Sequence, residues 1–158
     1  QSKSAEYKIS KATILLGASA GGHLVLLHGY KNNTLGHVKA IVSFFGPSDL
    51  AEFHKHHGDP RIPFLLIALT GGTPTQNQDL YQQSSPLHFV TAQSPPTLIL
   101  HGGKDPLVPE SQSVLLKNKL EASGVAHQYV YYPNEGHGWA GNNLFDSFNK
   151  IEAFILKY

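Results

Sequence analysis

The sequence predicts an α/β fold, a mostly parallel sheet of about four strands with helices on both of its faces and a helical insert. Three observations predict it. Short, nearly continuous apolar runs recur along the chain, the pattern that suits strands covered on both faces of a parallel sheet. Stretches with helical apolar spacing alternate with them, the order of strand–helix–strand units joined by right-handed crossovers. Glycine and proline, 15 and 10 of 158 residues, mark the connections between these segments, where tight turns form.

The first strand is expected over residues 12–17 (ATILLG), followed at once by a helix over residues 20–30. That helix opens on small residues and then carries Leu24, Val25, Leu26 and Leu27 together, which suits burial against a sheet. Residues 40–45 (AIVSFF) read as the second strand. Residues 47–95 break the rhythm. They are too long for one crossover and carry their own apolar cluster (Ile62, Phe64, Leu65, Leu66, Ile67, Leu69). Turn signals follow at Gly71-Gly72-Thr73-Pro74 and Ser85-Pro86. The segment reads as an insert of short helices lying over one end of the sheet.

The third strand is expected over residues 97–101 (TLILH) and a helix over residues 110–123. Pro109 stands where a first-turn proline is tolerated and Gly124 where a helix can end. Residues 128–132 (QYVYY) form the fourth strand. Leu144, Phe148, Ile151 and Ile155, spaced four, three and four apart, predict an amphipathic closing helix. Residues 1–158 read as one domain, long enough to bury about two-thirds of the unfolded surface, without internal repeats or low-complexity tracts.

Composition excludes several classes. Zero cysteines removes a disulfide framework, a thiolate zinc site and a cysteine nucleophile together. Twelve basic against eleven acidic residues leave a net charge of +1, so no global field recruits nucleic acid or an anionic membrane. The longest uninterrupted apolar run, residues 64–69, is far shorter than the ~18 residues that span a bilayer. The chain has no Met, and residues 1–8 show no apolar core behind a basic start. Residue 1 is therefore expected to lie inside a longer translated chain, and nothing here separates a cytoplasmic from a secreted location.

Chemistry enters at Gly17-Ala18-Ser19-Ala20-Gly21, a G-x-S-x-G pentapeptide set between the first strand and the first helix. A serine on a sharp strand-to-helix turn projects its hydroxyl above the sheet, and flanking glycines suit a turn crowded by neighbouring backbone. The Ala20 N–H would point where negative charge develops on an ester oxygen, at the positive pole of the helix. A serine hydroxyl needs a base to remove its proton and an acid to orient that base. Asp105, in His101-Gly102-Gly103-Lys104-Asp105-Pro106, follows the third strand. His137, in Asn134-Glu135-Gly136-His137-Gly138-Trp139, follows the fourth. All three groups fall at carboxyl ends of strands, the rim where open α/β sheets place their sites. Ser19, Asp105 and His137 form the candidate triad.

These stretches, together with Phe45-Gly46-Pro47-Ser48-Asp49-Leu50, resemble the α/β-hydrolase superfamily in its esterase/lipase branch, most nearly carbohydrate esterases and hormone-sensitive-lipase-like esterases. The resemblance implies Ser19 as nucleophile, Asp105 as acid and His137 as base, acting on a small-molecule carboxylic or carbohydrate ester, with no cofactor and no metal. Small Ala20 after the serine favours an esterase over a prolyl-type serine peptidase of the same superfamily. A non-catalytic binding module of the same fold is the other reading. Members of that branch carry four further strands and a glycine-rich oxyanion loop before the nucleophile turn. Nothing before Ile14 supplies these, so the chain is expected to be a C-terminal portion. The flank of its first strand is then an open apolar edge through which copies associate. His101-Gly102-Gly103 stands on the acid strand, on the wrong side of the serine to serve as that loop.

Other residues read more plainly. His23, one turn past Ser19, is expected to be buried and hydrogen-bonded rather than a rival base. Asp49 is expected to cap a turn or helix. His54, His56, His57 and Asp59 lack metal-ligand spacing and read as a solvated loop. Trp139 is expected to wall the base loop, with Tyr129, Tyr131 and Tyr132 packing along the last strand. The 53–69 part of the insert is expected to shape the substrate pocket.

Overall fold

The computed structural model describes residues 3–158; Gln1, the polar opening residue, lies outside them. Eleven segments follow in order: β1 (Thr13–Ala18), α1 (Ala20–Lys31), β2 (Val38–Phe44), α2 (Leu50–Lys55), α3 (Ile62–Thr70), α4 (Gln78–Gln83), a 3-10 turn (Pro86–Phe89), β3 (Thr97–Gly102), α5 (Ser111–Ala122), β4 (His127–Tyr132) and α6 (Gly141–Ile155). The four strands lie in the order β1-β2-β3-β4, and every neighbouring pair is parallel. The α/β architecture read from the sequence is the one formed, with a wholly rather than mostly parallel sheet.

Period-two alternation distributes the strand side chains between two cores. Ala40, Val42, Phe44, Leu98, Leu100, Val130 and Tyr132 face Ile151 and Phe154 of α6. Ile41 and Ile99 face the other way, against Leu26 of α1 and Leu116 and Leu120 of α5. Both faces of the central strands are thus dry, which explains their nearly continuous apolar runs. The insert holds a third cluster, Leu50, Phe53, Leu66, Tyr81 and Val108. Val108 belongs to the loop after β3, so this cluster ties the insert to that loop.

The expectation that β1 is covered on both faces needs correction. Leu15 packs against the α1 side, but Ile14 and Leu16 on the opposite face are 42% and 53% exposed. The reason is reach: α6 covers β2 to β4 and stops short of the edge strand. An apolar recess of about 260 Å³ is left there, lined by Leu16, Ala18, Phe44, Phe45, Trp139 and Phe148 among others. α1 is likewise only partly covered. Its buried residues are Gly22, Leu26 and Gly29, while Leu24 faces solvent. On the insert, α3 turns Phe64, Leu65 and Leu69 outward.

Candidate active site

The turn between β1 and α1 is set by two close backbone approaches. A Cβ on Gly17 would lie 2.2 Å from the Gly21 carbonyl oxygen, and one on Gly22 would lie 2.9 Å from the Gly46 Cα. Gly21, by contrast, has open space where its Cβ would stand. Crowding therefore acts on Gly17 and Gly22, not on both glycines of the pentapeptide. Ser19 takes up the bend, with φ 55° and ψ −122°, a left-handed backbone that non-glycine residues adopt at a cost of about 1–2 kcal/mol. Its N–H still bonds the Phe44 carbonyl at 2.9 Å, holding the bend to the sheet. Ala20 is the first residue of α1, so its N–H is among the donors that no intrahelical carbonyl reaches.

Asp105 is held from behind. Its Oδ1 accepts from the Leu107 and Val108 N–H groups at 2.8 and 3.0 Å, and its side chain is 1% exposed. His137 sits on the loop after β4. Lys104 N–H donates to the Glu135 carbonyl at 2.7 Å, and Asn143 donates to the Glu135 carboxylate. His137 Nδ1 lies 2.8 Å from Asp105 Oδ2, and its Nε2 lies 2.9 Å from Ser19 Oγ. A carboxylate only accepts, so Nδ1 carries the proton toward Asp105 and Nε2 is left to accept from the serine hydroxyl. The structure thus brings together all three predicted residues, 118 positions apart at the extremes, at one rim of the sheet. Chemically, the arrangement can draw a proton from Ser19 Oγ and hold it on an imidazole beside a carboxylate.

Three neighbours complete the site in roles that the sequence did not assign to them. His101 is wholly buried. Its Nε2 donates to the Val108 carbonyl at 2.9 Å, and Ser113 Oγ lies 2.6 Å from its Nδ1. Burial holds its pKa below the ordinary histidine value, opposed by the Val108 hydrogen bond. It is a neutral strut between the loop that carries Asp105 and α5. Gln112 is also wholly buried and accepts at Oε1 from the N–H groups of both Ser48 and Asp49. Phe45 lays its ring 4.4 Å from the His137 ring centre, tilted by 50°. A histidine in an apolar run and a glutamine inside a helix carry no local sign of these roles.

The remaining expectations are met in part. His23 bonds the Pro47 carbonyl through Nδ1 at 3.1 Å, and burial lowers its pKa. Asp49 caps α2, accepting from the Ala51 and Glu52 N–H groups. Of the four residues read as a solvated loop, His56 pairs with Glu52 and Asp59 forks onto Arg61, whereas His54 lies inside α2 with its Nε2 buried. Trp139 walls the base loop, donating to Ser147 Oγ at 2.8 Å. Tyr132 packs inward while Tyr131 is exposed. The insert meets the loop that carries Asp105 at Gly58, where a Cβ would lie 2.2 Å from the Pro106 carbonyl oxygen, and at Val108, buried with Leu50, Phe53, Leu66 and Tyr81. The recess that reaches Ala18, Phe45 and Gly138 is built by β1, β2, the base loop and α6 instead.

Known proteins share the fold and part of the sequence. The BD-FAE family model matches residues 1–120, a span that includes Ser19 and Asp105 and stops before His137. Esterase LipQ of Mycobacterium tuberculosis is 30% identical over 136 residues, covering 79% of this chain and 32% of that protein. Dipeptidyl-peptidase 5 of Schizosaccharomyces pombe is 28% identical over 155 residues, 96% of this chain and 22% of that one. A truncated carbohydrate esterase from gut microbiota superposes with a TM-score of 0.75 at 30% identity, covering 94% of this chain and 63% of that chain. The chain spans about a third or less of the length of the two curated relatives.

Proposed function

The chain belongs to the BD-FAE family, in the esterase branch of the α/β-hydrolase superfamily, and from that membership we propose that it carries the nucleophile, acid and base of a serine hydrolase acting on carboxylic esters, small acyl or carbohydrate esters among them. Ser19 Oγ attacks the ester carbonyl while His137 Nε2 takes its proton. Asp105 holds the imidazole with Nδ1–H toward itself and stabilises the imidazolium that forms. The Ala20 N–H faces the tetrahedral oxyanion, a contribution of about 3–4 kcal/mol for one such donor. His137 then protonates the leaving alcohol, and water attacking the acyl-serine releases the acid. No step calls for a metal or an organic cofactor.

The observation that carries the reading is a single imidazole within 2.8 Å of a buried carboxylate on one side and 2.9 Å of a serine hydroxyl on the other. Fluorophosphonate labelling of the full-length protein tests it. Labelling of the parent and none of Ser19→Ala is expected, and equal labelling of the two removes Ser19 from its role. The peptidase relative keeps amide cleavage as the second reading. Turnover of acetyl esters against aminoacyl-proline amides on the full-length protein decides between them, with the ester expected to win.

A further inference from the structure

Two strand-end residues other than glycine hold left-handed backbones, Ser19 after β1 and Phe45 after β2. Both place their side chains on His137. For Ser19 the bend is what exposes the hydroxyl. For Phe45, with φ 40°, backbone geometry alone offers no such reason. A glycine stands next in the chain, and the positive φ does not fall on it. Gly46 serves close packing instead: a Cβ there would lie 2.6 Å from both the Gly22 carbonyl carbon and Ser43 Oγ. The left-handed turn out of β2 is thus carried by an aromatic residue, and strain of this kind persists where surrounding structure over-determines it, often at functional sites.

The surroundings do so here. Phe45 N–H donates to the Leu100 carbonyl at 2.7 Å. The ring is wedged edge-on against Trp139 at 5.6 Å, Phe44 at 6.1 Å and His101 at 6.4 Å. Its free side meets His137. The two hydrogen bonds of His137 fix its two nitrogens, yet they leave the imidazole free to rock about the line joining them. A packed aromatic face removes that last freedom, and it also attracts the imidazolium formed when the ring takes a proton.

We infer that Phe45 is a positioning residue for His137, its ring setting the tilt at which Nε2 meets Ser19 Oγ while Nδ1 stays on Asp105. The inference rests on the triad reading above. Its test is fluorophosphonate labelling of the full-length protein and of Phe45→Leu, Phe45→Gly and Phe45→Tyr. Measurements are made well below each melting temperature, with Ser19→Ala as the blank. Phe45→Leu keeps an apolar filler and Phe45→Gly relieves the backbone; both are expected to label roughly ten- to a hundredfold more slowly, the scale of a misplaced reacting group. Phe45→Tyr, which keeps the aromatic face, is expected to label near the parental rate. Parental rates in Phe45→Leu or Phe45→Gly would overturn the inference while leaving the triad intact. A parent that does not label overturns the triad reading and the inference with it. Should the variants not fold, proton NMR of the parent decides. The His137 ring protons are expected to show ring-current displacement, and unshifted resonances would overturn the positioning role.

Discussion

The two glycines of Gly17-Ala18-Ser19-Ala20-Gly21 should respond in opposite ways to an added methyl group. In Gly17→Ala the new Cβ would stand 2.2 Å from the Gly21 carbonyl oxygen and 2.4 Å from its carbon. Ordinary contact needs about 1 Å more, and the obstructing atoms are backbone in the first turn of α1, which cannot rotate away. Either α1 shifts or the turn opens. Overpacking of this kind costs about 1–3 kcal/mol, a fall in melting temperature of roughly 3–10 °C for a domain of this size. Because Ser19 is one residue past the neighbour of Gly17, a displacement near 1 Å passes to Oγ and should slow fluorophosphonate labelling by about 10². Gly21→Ala meets nothing within 4 Å. It should keep labelling near the parental rate and, as alanine inside a helix, stabilise by roughly 0.5–1 kcal/mol. Thermal melting and labelling rates on the two variants suffice. Equal tolerance of both, or damage in Gly21→Ala matching that in Gly17→Ala, would refute the account of the turn.

Asp105→Asn should keep the Oδ1 bonds to Leu107 and Val108, leave melting nearly unchanged, and turn an N–H toward His137. The imidazole then adopts the other tautomer, and labelling of Ser19 should fall by about 10⁴, as in the chymotrypsin-type precedent for this substitution; a loss under tenfold would contradict the assigned proton positions. Acid should destabilise the fold through His101. Its folded pKa is lowered by burial, so the unfolded chain binds the proton first. Stability is therefore full above about pH 6.5 and is lost as pH falls below it, by up to about 1.4 kcal/mol per unit. His101→Gln should flatten the melting-versus-pH slope between pH 7 and 5, and an unchanged slope would show that other groups govern it. The open β1 edge, with Ile14 and Leu16 outward, should drive association of this chain at micromolar concentration. Sedimentation velocity should show species larger than the monomer that Leu16→Lys suppresses, and a clean monomer would count against edge pairing.

Much of the architecture was legible along the chain because its signals are local. Period-two and helical apolar spacing depend on near neighbours in sequence, and the strands and helices fell within a few residues of where that spacing put them. The serine turn was legible for the same reason, since a strand, a bend and a helix are contiguous. Asp105 and His137 could be nominated by their places just past two strands. Their meeting is a matter of register: parallel pairing of β1 through β4 brings those ends to one rim.

What the tertiary structure alone decided is which face and which contact each residue receives. The apolar run of β1 resembles those of β2 and β3, yet only its position at the edge leaves Ile14 and Leu16 exposed. Gly21 and Gly22 are neighbours in the same helix, and only the approach of Gly46 and Ser43 from β2 and the turn after it separates the crowded Gly22 from the open Gly21. Phe45 looks like strand filler. It nevertheless holds a left-handed backbone, while Gly46 after it is pressed against α1, a contact between segments more than twenty residues apart. Propensity and pattern act through adjacent bonds, whereas burial, strain and the aim of a ring are set by whatever distant chain the fold lays alongside.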